Sequence, residues 1–137
     1  MTRVILDTNV LMSGIFWSGP PAKILQAWHD KKISLVLSPE ILEEYRRVGS
    51  ILSQKYPVIN VEPIIDLIVI HSEMCSANKL NKQISNDPDD DKFIALCLSS
   101  DCRIIVSGDR DLLEISGYES ISVMKPAQFV EQYLPNN

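Results

Sequence analysis

The chain has 137 residues, a length that fits one domain, so we predict a single domain over residues 1–137. Hydrophobic residues make up 45% of the chain and charged residues 23%, which is the balance of an ordinary globular protein. The net charge of −5 argues against a general nucleic-acid binder with a basic face, but bound divalent ions would reverse the local charge of a carboxylate cluster.

Short β-branched runs alternate with longer amphipathic stretches along the chain. In chain order the pattern predicts a strand at residues 3–6, a helix opened by Pro20 and Pro21, a strand at 33–37, a helix from Pro39 to about Gly49 or a little beyond, and a helix at 61–70. It then predicts a loop at 76–85, a helix start at 86–88, a strand at 103–106, a strand near 121–123 and a helix opened by Pro126. Strands separated by helices indicate βαβ crossovers. We therefore predict an α/β fold, a three-layer α/β/α sandwich with a central, mainly parallel sheet.

Export and membrane insertion are not indicated by the apolar stretches. The first stretch, residues 4–6, ends at Asp7, and the longest later one, residues 64–70, contains Asp66. We therefore expect a cytoplasmic protein with no membrane contact. The three cysteines form no Cys-x-x-Cys pair, and Cys97 lies in an apolar run, so we expect free thiols in a reducing compartment.

Asp7 directly follows the first predicted strand. In open α/β sheets ligands gather outside the carboxyl ends of the strands, which makes Asp7 a candidate metal ligand. Asn9 offers a second oxygen donor two residues on, and Thr8 offers a hydroxyl between them. The alternative is that Asp7 only caps a helical turn over residues 10–12.

Glu44 is the functional candidate of the helix that begins at Pro39. At 100° per residue, Ile41 and Val48 lie within about 60° of Glu44, so this carboxylate borders the apolar stripe. Glu43 points nearly the opposite way and is expected to be a solvated surface charge. A carboxylate beside a buried stripe costs free energy unless it is paired or bound to a metal.

The run of acidic residues from Asp87 to Asp91 is the strongest local signal in the sequence. Asp87 can cap the following helix, and Asp89 and Asp90 suit the positive end of its dipole. Asp91 fits this explanation less well, because the helical wheel places it on the inward face with Ala95. We therefore interpret Asp91 as the metal-ligand candidate. A calcium-loop interpretation fails because the required glycine and glutamate are missing at positions six and twelve.

Asp109 and Asp111 follow the strand predicted at 103–106, in the segment Ser107-Gly108-Asp109-Arg110-Asp111. On their own they are equally compatible with a metal site and with a surface turn. Taken with the other acids they favour a metal site, because a carboxylate cluster is relieved of its repulsion by hard divalent ions. The lack of well-placed histidine and cysteine ligands indicates Mg²⁺ or Mn²⁺ rather than zinc.

Four motifs in order give the chain its resemblance to PIN-domain nucleases. They are the opening segment at residues 6–11, a glutamate in the helix after the second strand, an aspartate before the apolar helix in residues 91–95, and the acidic segment after a strand at residues 107–111. Their order and spacing cover nearly the whole chain. The chain is most similar to the branch assigned to toxin components of toxin–antitoxin pairs.

The resemblance implies a metal-dependent endoribonuclease that hydrolyses phosphodiester bonds of single-stranded RNA to a 5′-phosphate and a 3′-hydroxyl. Its cofactor would be Mg²⁺ or Mn²⁺, with two ions when substrate is bound. The implied catalytic and metal-binding residues are Asp7, Glu44, Asp91 and Asp109, and the implied supporting residues are Asn9, Ser107 and Asp111. An antitoxin protein and a second copy of the chain are the implied protein partners.

Three other classes of function were weighed against this one. A phosphatase with Asp7 as nucleophile would need an acid two residues later, where the chain has Asn9. A phospho-accepting receiver domain would need a lysine after a late strand, where the chain has residues 107–109. The third alternative is a catalytically silent PIN-like module that binds RNA or protein.

Overall fold

The computed structural model describes residues 1–134 and is built around one five-stranded sheet. The strands are β1 (Thr2–Leu6), β2 (Ile33–Leu37), β3 (Glu73–Met74), β4 (Ile104–Val106) and β5 (Ser122–Met124). Their order in the sheet is β3-β2-β1-β4-β5, and every neighbouring pair is parallel. With helices on both faces, this is the α/β/α sandwich that the alternating pattern predicts.

Within the described residues, seven α-helices connect and follow these strands. They are α1 (Thr8–Phe16), α2 (Pro20–His29), α3 (Pro39–Lys55), α4 (Val61–Ile70), α5 (Asp91–Ser100), α6 (Arg110–Glu114) and α7 (Pro126–Tyr133). The predicted proline starts of α2, α3 and α7 are confirmed. Proline suits the first turn of a helix because it has no backbone N–H that would be left unpaired there. The prediction missed α1, α6 and the two-residue β3, which are short or lack a clear apolar period.

Helix α3 runs to Lys55, six residues past Gly49, whereas its end was predicted at about Gly49 or a little beyond. This glycine is buried, and a Cβ built on it would lie 2.5 Å from Cγ1 of Val61. The residue therefore allows α3 and α4 to approach closely and does not end the helix. The predicted helix was therefore right in its start and too short at its end.

The core is formed by the strands and the inward faces of the helices. Val4, Ile5 and Leu6 of the central strand β1 are at most 1% exposed, as expected for a parallel strand covered on both faces. Cys97 and Cys102 are buried free thiols, and burial raises the pKa of Cys97. A protonated buried thiol is a poor nucleophile. Within residues 1–134 no helix is both long and apolar enough to cross a membrane.

Candidate metal centre

The candidate site begins where the two central strands end. Strand β1 lies in the middle of the sheet, with β2 on one side and β4 on the other. The chain adds β2 and β3 on one side of β1 and then β4 and β5 on the other, so the direction in which strands are added reverses at β1. Such a reversal opens a crevice at the carboxyl ends of the strands. Asp7 follows β1 and Ser107 follows β4. The backbone N–H of Asp7 donates to the carbonyl of Val106 at 2.9 Å, which holds the two strand ends together.

Ser107 connects two of the predicted carboxylates. Its fully buried hydroxyl donates to Oδ2 of Asp7 at 2.6 Å and accepts the backbone N–H of Asp109 at 2.9 Å. Asp109 in turn caps α6, because its Oδ1 accepts the N–H of Asp111 at 3.2 Å. The structure therefore brings Asp7, Ser107, Asp109 and Asp111 together at one edge of the sheet.

Asp7 is held in a buried position that disfavours its charge. Asp7 is only 6% exposed, and this burial raises the pKa of its carboxyl group. The hydrogen bond from Ser107 lowers the pKa in part, whereas the charges of Asp109 and Glu44 raise it further. A buried carboxylate under this repulsion is a good partner for a cation.

A second group of carboxylates faces the first from the segment before α5. Residues Pro88–Asp90 form a 3-10 turn, and Asp87 caps it by accepting the N–H of Asp89 at 3.0 Å. One carboxylate oxygen from each of Asp87, Asp90 and Asp111 lies within 4.8 Å of the other two. This group can therefore supply three oxygen donors to one small cation.

Asp90 is the most strongly perturbed of these carboxyls. Burial raises its pKa to about 8, together with the contact with Asp109 and the charges of Asp109, Asp87 and Asp7. Its residue is 7% exposed. Asp90 thus lies between the carboxylates at the strand ends and those of the 3-10 turn.

The structure does not bring Asp91 into this cluster, which corrects its predicted placement. The oxygens of Asp91 accept the backbone N–H groups of Ser85 at 2.8 Å and Ile84 at 3.1 Å. Asp91 and Ala95 lie on the same side of α5, as the helical wheel predicts. That side of the helix faces the loop at 77–83 and not the edge of the sheet. Asp91 holds the backbone at residues 84 and 85, whereas Asp90 lies among the carboxylates of the candidate site.

Glu44 reaches the pocket from α3, as the wheel predicts. It is 7% exposed, whereas Glu43 is exposed. Its Oε1 accepts a hydrogen bond from Nζ of Lys92 at 2.6 Å, and its Oε2 accepts one from the hydroxyl of Thr8. The neighbouring Tyr45 anchors α3 to the sheet, because its hydroxyl donates to the carbonyl of Leu6 at 2.5 Å. The remaining supporting candidate, Asn9, is exposed on the first turn of α1.

Asp87, Asp90 and Lys92 are the site residues that sequence reasoning missed. The spacing of Asp87 and Asp90 was a usable signal, because residues three apart lie on the same side of a 3-10 turn. Lys92 gave no such signal. Its role depends on the distance between α3 and α5, which only the folded chain fixes.

The cluster fits a hard divalent cation. Its donors are all oxygens, and none of the ion pairs among residues 1–134 joins a lysine or arginine to any of these five aspartates: Asp7, Asp87, Asp90, Asp109 and Asp111. Their mutual repulsion is therefore not compensated by the protein itself. Mg²⁺, Mn²⁺ or Ca²⁺ would compensate it, since these ions prefer carboxylate ligands.

The sheet order and this carboxylate edge define an α/β protein with an oxygen-ligand site for divalent ions. The model of the PIN domain family matches residues 3–111, and the chain belongs to that family. PIN domains are generally nucleases, and their fold generally binds divalent metals. The chain is also 29% identical to an uncharacterized protein of Methanocaldococcus jannaschii over 143 residues, covering 96% of this chain and 91% of that protein.

Proposed function

We propose that this PIN domain is a metal-dependent endoribonuclease that hydrolyses single-stranded RNA. The principal ligands of its Mg²⁺ or Mn²⁺ are Asp7, Asp90 and Asp109, with Asp87 and Asp111 at the rim. The observation that carries the proposal is the burial of Asp7 and Asp90 beside Asp109 with no lysine or arginine paired to them among residues 1–134. Glu44 completes the acidic pocket from α3.

The residues of the pocket each have a definite task in this chemistry. A bound divalent ion supplies a water of lowered pKa and a positive charge close to the phosphate. Ser107 holds the carboxylate of Asp7 in one orientation, and Thr8 does the same for Glu44. In the proposed reaction a water oxygen adds to phosphorus and the bond to the 3′-oxygen breaks, which leaves a 5′-phosphate and a 3′-hydroxyl.

A groove that shares Lys92 with the Glu44 side of the site supports a single-stranded nucleic acid as substrate. It has a volume of about 570 Å³ and lies between the loop at 77–83 and the start of α5. Lys79, Lys82 and Lys92 line it, together with the apolar side chains of Leu80 and Pro88. Lysines suit a phosphate backbone, and apolar surface suits an unpaired base.

The biological setting is proposed from the resemblance to toxin components. We propose that the protein acts as the nuclease of a toxin–antitoxin pair, with an antitoxin protein as its regulator. A homodimer and a cytoplasmic location stay predictions. Purification with its genetic neighbour would test the antitoxin directly, because a bound inhibitor copurifies with its toxin.

Asp7→Asn is expected to lower cleavage of labelled single-stranded RNA by roughly a thousandfold or more, because the buried ligand loses its charge. Cleavage by the wild type should need Mg²⁺ or Mn²⁺ and stop in EDTA. The matched control is Asp66→Asn, which makes the same change on the exposed face of α4 and should cleave like the wild type. Equal cleavage by Asp7→Asn would contradict the proposal. Binding of Mn²⁺ without cleavage of any RNA or DNA tested would favour the silent binding module.

A further inference from the structure

Lys92 is a cation held inside the acidic pocket. It lies in the first turn of α5, and its side chain is only 19% exposed. Its ammonium group lies 2.6 Å from Oε1 of Glu44 and 3.0 Å from Oδ1 of Asp89. A positive charge in the first turn opposes the helix dipole, so this position is unfavourable unless nearby anions compensate it. Glu44 and Asp89 supply that compensation.

The Glu44 side of the pocket is therefore balanced by the protein. Both oxygens of Glu44 accept hydrogen bonds, from Lys92 and Thr8, and Nη2 of Arg47 lies 3.8 Å from Oε1. The two negative charges of Glu44 and Asp89 are thus balanced by the two positive charges of Lys92 and Arg47. The aspartate side differs, because within residues 1–134 no lysine or arginine pairs with Asp7, Asp87, Asp90, Asp109 or Asp111, and the donors to Asp7, Asp109 and Asp87 are a hydroxyl group and backbone N–H groups.

An ammonium group has three N–H donors and a compact charge. In Lys92 two of these donors are used by Glu44 and Asp89. Among residues 1–134 no further acceptor is found for the third donor, which can therefore serve an oxygen from outside the protein. Lys92 also lines the groove between the loop at 77–83 and the start of α5, so a phosphate that enters this groove would meet Lys92.

We propose that Lys92 is a fixed cation that takes the place of a second metal ion beside Glu44, so that the protein holds one divalent ion, on the aspartate side. Lys92 is then a positioning residue, which directs an oxygen of the scissile phosphate toward that ion. This inference rests on the proposed nuclease function and replaces the expectation of two ions. Glu44 becomes the partner of Lys92 instead of a direct metal ligand.

Calorimetric titration of the purified protein with Mn²⁺ counts the ions. We expect one Mn²⁺ per chain in the wild type and two in Lys92→Met, because the neutral side chain removes the ammonium group that lies between Glu44 and Asp89, so that their carboxylates can bind a second ion. Lys92→Arg keeps the charge and should bind one. The matched control is Lys23→Met, which removes a positive charge from the exposed surface of α2 and should also bind one.

Far-UV circular dichroism would establish that each variant is folded before the titration. Two Mn²⁺ in the wild type would overturn the inference, even if Lys92→Met failed to fold. A single Mn²⁺ in a folded Lys92→Met would overturn it as well. In either case metal-dependent RNA cleavage by the wild type would leave the proposed nuclease intact. A wild type that neither binds Mn²⁺ nor cleaves RNA would overturn both.

Discussion

Replacing Asp90 with asparagine is expected to lower metal-dependent RNA cleavage by roughly a thousandfold, whereas Asp91→Asn should stay within about tenfold of the wild type. The two residues are neighbours in sequence and undergo the same chemical change. Asp90 lies among the carboxylates of Asp7, Asp87 and Asp109, so its charge belongs to the candidate metal site. The oxygens of Asp91 are used by two backbone N–H groups of the loop before α5.

The comparison is best made as kcat/KM on a labelled single-stranded RNA at saturating Mn²⁺. Asp91→Asn should instead lower the free energy of unfolding by about 1 kcal/mol, because the N–H groups of Ile84 and Ser85 lose a charged acceptor. Thermal unfolding measures that loss independently of activity. The opposite result, with Asp91→Asn inactive and Asp90→Asn active, would contradict this expectation. It would support Asp91 as the metal ligand, as the helical wheel predicted.

The metal-free protein is expected to lose stability as the pH rises from about 4 to about 8. The pKa of Asp90 is about 8 in the folded protein against an ordinary value of 3.8, and the pKa of Asp7 is also raised. Between these values the folded protein holds a proton that the unfolded chain has released. The free energy of unfolding contributed by such a group therefore falls with rising pH.

One pKa unit corresponds to about 1.4 kcal/mol, and solvent at the rim screens part of the shift, so we expect a loss of about 1–2 kcal/mol from Asp90. Urea unfolding in EDTA at several pH values measures it. Asp90→Asn should be more stable than the wild type near neutral pH and less sensitive to pH, whereas Asp66→Asn should follow the wild type. Mn²⁺ at about one hundred times its Kd should add about 2.7 kcal/mol to the wild type. A wild type that becomes more stable than Asp90→Asn as the pH rises in EDTA would contradict this explanation.

The sheet was predictable because its signals are local. A run of β-branched residues predicts each of the strands β1, β2 and β4, and a proline predicts the start of each of the helices α2, α3 and α7. Each of these signals lies within a few consecutive residues. Helix α1 was missed because it is apolar on most sides and gives no clear period. Strand β3 was missed because two exposed residues, Glu73 and Met74, carry no strand signal.

The site was predictable to the extent that its residues follow strands or lie on a regular helix. Asp7, Ser107 and Asp109 follow paired parallel strands, and Glu44 lies on a long helix, so the positions of all four follow from local signals. Their role in binding a metal stays a prediction. Asp90 was not predicted as a site residue, because the 3-10 turn before α5 changes the direction of successive side chains and the wheel assumed a regular helix. Which side of α5 faces the sheet edge also depends on the loop at 77–83, whose path has no local signal.

The position of a bound ion can be measured by anomalous diffraction from a crystal soaked in Mn²⁺. We expect one strong anomalous peak within ligand distance of Asp7, Asp90 and Asp109, and no peak beside Lys92 and Glu44. Such a result would establish the carboxyl edge of β1 and β4 as the metal centre of this PIN domain. A peak elsewhere, or none at an Mn²⁺ concentration that supports cleavage, would contradict the site described above.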